Sequence, residues 1–291
     1  MPRGTVRKRC CRPAAVLAEH APAAIGSTLV GAARAIVMGM IEGITEFLPV
    51  SSTAHLILAG DLFGWQSEEA KTFEIFIQLG AILAVVWLYR VRVLRLLRCL
   101  WLSEERALGA SILVSFVPAA MMGLAFHPFI KRFLFSPGVV GAALVAGGVG
   151  ILIIERFARP SVPEGVDRIS LRTALGIGLA QCLSLIPGVS RSGATIMGAI
   201  SLGVPRKSAT EYSFLLAIPT MVAATLFELA TGLSGIQRRD YILFALGFLG
   251  AFFSALLIVQ GFLSFVQHHK FTSFAWYRIC FGSVVLIYAV L

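Results

Sequence analysis

Two polar stretches could do chemistry in an otherwise apolar chain: Glu42-Gly-Ile-Thr-Glu-Phe-Leu-Pro-Val-Ser-Ser-Thr-Ala-His55 and Gln181-Cys-Leu-Ser-Leu-Ile-Pro-Gly-Val-Ser-Arg-Ser-Gly-Ala-Thr195. Each follows a Gly-containing apolar segment, breaks at a proline and turns through Val-Ser. Aligned on Val50-Ser51 and Val189-Ser190, Glu42 falls opposite Gln181 and Ser52 opposite Arg191. One stretch thus supplies carboxylates and an imidazole, the other a guanidinium. Charge is costly inside a bilayer, so its presence there points to function.

Glu42 and Glu46 stand at i, i+4 on one helical face, with Gly39 and Gly43 where another helix can approach. No cationic residue lies within a turn, and a divalent cation, Mg²⁺ or Ca²⁺, would relieve the repulsion through oxygen ligands. The plainer alternative is a glutamate that only hydrogen-bonds in an aqueous vestibule. Ser51, Ser52, Thr53 and His55 follow the first break at the start of a helix, where free N–H groups favour an anion. N-capping alone explains one of these hydroxyls, and Ser51 is the expected cap. His55 suits general acid or base work, against the alternative of a core histidine. Ser190, Arg191, Ser192 and Thr195 open the second helix, and an Arg fork suits phosphate oxygens. Its alternatives are an orientation charge or an ion pair with a distant Glu. Gly188 and Gly193 permit close backbone approach. Together these groups make a phosphoryl-transfer set. There is no Walker lysine motif to support nucleotide hydrolysis.

These residues need a membrane scaffold. The 291-residue chain is 57% hydrophobic and 14% charged, with a mean hydropathy of +0.85. Apolar runs such as Ile75–Tyr89, Gly138–Ile154 and Tyr241–Phe265 approach or exceed the ~20 residues that cross a bilayer. An all-α polytopic membrane protein follows. The net charge of +10 sits between apolar runs, where membrane orientation explains it, so nucleic acid is excluded as a partner. The five cysteines (Cys10, Cys11, Cys99, Cys182, Cys280) show no metal or disulfide pattern.

Residues 1–28 read as a basic, flexible tail or an over-extended start, not a signal peptide. Residues 29–157 form a first repeat: a re-entrant helical hairpin over 29–63, then spans at about 73–89, 107–126 and 138–157. A linker covers 158–168. Residues 169–291 repeat the order, with a second hairpin and spans at about 209–229, 240–265 and 273–291. Phe73-Glu-Ile-Phe-Ile-Gln-Leu-Gly-Ala-Ile82 echoes Thr210-Glu-Tyr-Ser-Phe-Leu-Leu-Ala-Ile218. Three crossings per half invert the second, giving an inverted-topology repeat of about six transmembrane helices plus two re-entrant hairpins. Lys and Arg counts place the segments 90–106 and 156–172 in the cytoplasm, so the first hairpin enters from outside.

The two motifs resemble the signatures of the undecaprenyl-diphosphate phosphatase family of the bacitracin-resistance type. Lys71-Thr-Phe-Glu74, Ile77-Gln-Leu-Gly-Ala81, Ile-Pro-Gly and Glu211-Tyr-Ser-Phe-Leu-Leu-Ala217 extend the likeness from about Ile36 to the C-terminus. Ala54 departs from the Gly usual before the histidine. The resemblance implies a hydrolase of the bacterial inner membrane that removes the terminal phosphate of undecaprenyl diphosphate and recycles the peptidoglycan carrier lipid. Bacitracin would compete for that substrate, and the site would open to the outer face. A homodimer is compatible with this picture. By position, Glu42 and Glu46 fill the acidic motif, Ser52 and His55 are the catalytic pair, and Arg191 holds phosphate. Ser52 is either a nucleophile or a residue that orients water. The alternative function on the same scaffold is a polyprenyl-phosphate transporter or flippase.

Overall fold

The computed structural model describes residues 21–65, 68–98, 103–232 and 240–290. Among them the chain is helical, with no strand: α1 (Ala21–Thr45), α2 (Ser52–Phe63), α3 (Glu68–Leu88), α4 (Arg90–Leu97), α5 (Ser103–Phe133), α6 (Pro137–Phe157), α7 (Leu171–Cys182), α8 (Arg191–Ser201), α9 (Arg206–Gly232), α10 (Asp240–His268) and α11 (Thr272–Tyr288). Helices satisfy their own backbone groups, which is what a chain in hydrocarbon requires. Local sequence sets several starts. Ser136 accepts a hydrogen bond from the Val139 N–H ahead of Pro137 at the first turn of α6, and Ser170 does the same for Thr173 at α7.

Four helices are long and apolar enough to cross a membrane, within Glu105–Ile130, Pro137–Phe157, Arg206–Ala230 and Tyr241–His268. The bent pair Thr72–Leu88 and Arg90–Leu97, broken by 86°, raises this to five. The basic segment after Tyr89 begins with a helix, α4. Arg90, Arg92, Arg95 and Arg98 favour helix but not hydrocarbon, so the chain turns sideways rather than continuing. The sixth expected span is α11, shorter than the other candidates and carrying Arg278. α5 runs past its expected end through Pro128 to Phe133. α1 begins at Ala21, inside the segment read as a tail; residues 1–20 lie outside the described residues. Cys182 and Cys280 are free thiols; Cys10, Cys11 and Cys99 lie outside the described residues.

The broken helices are gripped by long ones. α1 packs along α10, α7 along α5, α3 against α9 and α10, and α6 against α11. Gly39 makes the α1 contact possible, because a Cβ there would lie 2.0 Å from the Gly247 carbonyl oxygen. Tyr212 and Ser115 share a buried hydrogen bond of 2.8 Å between α9 and α5. Leu83, Leu113, Leu226 and Leu257 stand exposed on the outside of the bundle, a surface suited to acyl chains rather than water.

Candidate active site

Both breaks end in an unusual backbone. Ser51 (φ 71°) precedes α2 and Ser190 (φ 74°) precedes α8, and among the described residues they are the non-glycine positions with positive φ. Each such conformation costs on the order of 1–3 kcal/mol and persists only where surrounding structure imposes it. Gly188 (φ 98°) supplies the turn before Ser190, and a Cβ there would lie 2.5 Å from the Val140 carbonyl oxygen.

The breaks bring three candidate residues into direct contact. Arg191 donates from NH2 to Glu46 Oε1 at 3.1 Å. Ser52 Oγ donates to Glu46 Oε2 at 2.6 Å. Arg191 NH1 donates to the Ser213 carbonyl at 3.2 Å, its NH2 also reaches Met221 Sδ at 3.4 Å, and the guanidinium lies 5.6 Å from the Phe47 ring centroid. The ion pair with a distant Glu is thus present, and it joins residues 145 apart in sequence. Arg191 Nε is buried without a partner. One N–H of the fork is therefore uncommitted.

The other candidates divide. Ser190 Oγ caps α8 by accepting from the Gly193 N–H at 3.1 Å. Ser192 Oγ crosses to the first break and donates to the Leu48 carbonyl at 2.8 Å. Thr195 turns inward, donating to the Arg191 carbonyl at 2.9 Å and meeting Ser213 Oγ at 2.6 Å. Thr53 is half-buried in the first turn of α2. Ser51 occupies the N-cap position of α2 but makes no side-chain cap bond. The expected capping role is corrected: no side-chain bond closes over the start of α2, whereas Ser190, at a similar φ, caps α8. Ala54 is buried with Val140, Leu144 and Val285, so its methyl group fills a small apolar cluster.

His55 has both ring nitrogens engaged away from Glu46. Nδ1 lies 2.7 Å from the Ser51 carbonyl, which can only accept, so Nδ1 carries the proton. Nε2 lies 2.6 Å from the Tyr277 hydroxyl, and Phe281 stacks on the ring at 4.4 Å. Tyr277, Arg278, Ser213 and the Leu48 carbonyl were not anticipated from sequence. For Arg278 a signal existed, since it is a lone charge inside the apolar segment 273–291.

Glu42 and Glu46 are the residues that could hold a divalent cation. Glu42 is 1% exposed, its Oε2 has no hydrogen-bond partner, and the charges of Glu46, Glu74 and Arg191 act on it. Among the described residues no group of three or more His, Cys, Asp or Glu is arranged to enclose a metal.

The family described as "Bacitracin resistance protein BacA" matches residues 35–284. The chain belongs to the BacA family. All the residues in the cluster, and Arg278, fall inside the matched range. Among curated BacA-like relatives, a protein of Parvibaculum lavamentivorans named undecaprenyl-diphosphatase is 50% identical over 260 residues, covering 88% of this chain and 96% of that protein. Proteins of the same name from Nitrosomonas europaea and Nitrosospira multiformis are 48% and 49% identical, each covering 88% of this chain and 94% of the relative.

Proposed function

We propose that this BacA-family protein hydrolyses undecaprenyl diphosphate to undecaprenyl phosphate and inorganic phosphate in the bacterial inner membrane, returning the carrier lipid to peptidoglycan synthesis. The observation that carries the reading is the Ser52–Glu46–Arg191 chain, with contacts of 2.6 and 3.1 Å linking the two breaks. A hydroxyl bonded to a carboxylate beside a guanidinium is equipped for attack on a phosphate.

In this mechanism Arg191 holds the terminal phosphate through its uncommitted Nε–H, aided by the first-turn N–H groups of α2 and α8. Ser190, Ser192, Ser51, Thr53 and Thr195 line or brace that pocket. Glu46 takes the Ser52 proton as the serine oxygen bonds to the terminal phosphorus. The anhydride P–O bond breaks and undecaprenyl phosphate departs. Water then displaces the serine oxygen, the proton returns to Ser52 from Glu46, and phosphate leaves. His55, with Tyr277, carries away the proton lost by that water. A divalent cation on Glu42 and Glu46 would neutralise charge on the phosphate oxygens.

The architecture we propose is an inverted-topology repeat with two re-entrant hairpins. The same sequence interval separates three matched pairs: Gly39 and Gly178 at close helix contacts, Ser51 and Ser190 at positive φ, and Gly64 and Gly203 also at positive φ. Packing is exchanged in the same sense, α1 on α10 and α7 on α5. With basic segments inward, the site opens to the outer face, where bacitracin would compete for the same lipid diphosphate. Purified protein in detergent should release phosphate from undecaprenyl or farnesyl diphosphate. Lipid translocation in vesicles without phosphate release would favour the transporter instead.

A further inference from the structure

Arg278 lies within α11 and is 1% exposed. Every hydrogen bond recorded for its guanidinium goes to a backbone carbonyl. Nε donates to Leu144 at 3.3 Å, NH1 to Pro49 at 3.1 Å and Val189 at 2.8 Å, and NH2 to Ala143 at 3.2 Å and Gly188 at 3.0 Å. Among the described residues no carboxylate pairs with it. A buried cation without a counter-ion is expensive, so its position calls for a reason beyond packing. Three of the five carbonyls belong to the two breaks. Pro49 lies just ahead of the Val50-Ser51 turn, and Gly188 and Val189 lead into Ser190. One guanidinium therefore holds both of the positive-φ turns.

We propose that Arg278 is a positioning residue for the reaction, clamping the two breaks together so that Ser52, Glu46 and Arg191 meet in register. The proposal rests on the hydrolase reading above. It makes no contact with substrate; it fixes the backbone from which the reacting groups project. Small misplacements of reacting groups lower turnover more than they lower binding.

Gly147 of α6 offers a way to disturb the clamp without removing it. A Cβ there would lie 2.1 Å from Arg278 NH2 and 2.7 Å from its Cζ, so the guanidinium must shift. Phosphate release from undecaprenyl diphosphate is measured on purified, full-length wild type, Arg278→Lys and Gly147→Ala. In Arg278→Lys, kcat should fall on the order of a hundredfold, with KM within about threefold. Gly147→Ala should fall in the same direction by about tenfold. In a Ser51→Gly background the Arg278→Lys loss should shrink, because glycine adopts positive φ without restraint. Wild-type kcat in folded Gly147→Ala, a rise in KM at unchanged kcat, or an equal fold-loss in both backgrounds would overturn the clamp. Should Arg278→Lys fail to fold, Gly147→Ala decides. Amide hydrogen exchange separates this from the hydrolase reading. Exchange over 49–53 and 188–192 should quicken in Gly147→Ala whatever the substrate, and unchanged exchange would also overturn the proposal.

Discussion

Glu46 and Arg191 form an ion pair of 3.1 Å between the two breaks of the chain, and the second Glu46 oxygen accepts the Ser52 hydroxyl. Each oxygen of the carboxylate thus has a partner from a different break. A buried pair of this kind leaves an expensive lone charge when either partner is removed, so the two residues help to hold the breaks together.

Arg191→Lys keeps the charge but cannot reach Glu46, the Ser213 carbonyl and a phosphate together. Turnover should fall by roughly 10²–10³, the loss seen for a missing transition-state donor. Steady-state phosphate release on the folded variant checks it; turnover near wild type would remove Arg191 from the site.

Ser52→Ala should drop to near background, and acid quench of the wild type should trap a phosphoserine at residue 52. Ser51→Ala should cost less, because Ser51 makes no side-chain cap bond. The reverse ranking, on proteins of matched stability, would exchange the roles of these two hydroxyls.

Metal dependence turns on Glu42. EDTA should abolish phosphate release and Mg²⁺ or Ca²⁺ should restore it, while Glu42→Gln should need far more cation for half-maximal rate. Full activity in excess EDTA, with no metal retained, would leave the orphaned Glu42 oxygen to another purpose.

Tyr277→Phe deletes the hydroxyl bound to His55 Nε2 but keeps the stacked ring. A loss of ~2–10-fold in rate is expected, the worth of one hydrogen bond. A pre-steady-state burst of undecaprenyl phosphate should survive, with the slowing in the second step.

Gly39→Ala should lower the melting temperature in detergent, since its methyl group would meet the Gly247 backbone at 2.0 Å and no side chain there can give way. Overpacking of this sort costs about 1–3 kcal/mol. An unchanged melting temperature would mean α1 and α10 can part freely.

The meeting of the candidate residues is legible because proline, Val-Ser and buried charge mark them within short windows. Glu46, Ser52 and Arg191 meet as their types suggest. The close approach at Gly39 was legible for a similar reason, as small residues mark helix contacts. Other features depend on partners remote in sequence. His55 looks toward Tyr277, 222 residues away, and Thr195 toward Ser213, pairings that no local pattern encodes. The sideways helix α4 has no counterpart in the sequence reading, where its arginines mark only the end of a span. Arg278 was passed over although its signal, one charge in an apolar run, was the same that singled out Arg191.

The place of Arg278 in the last helix has a consequence for assembly. Ribosomes make Glu46, Ser52 and Arg191 well before α11, so the nascent protein carries these three residues before Arg278 is in place. On the proposed clamp, a chain stalled before α11 should turn over substrate far more slowly than the finished protein.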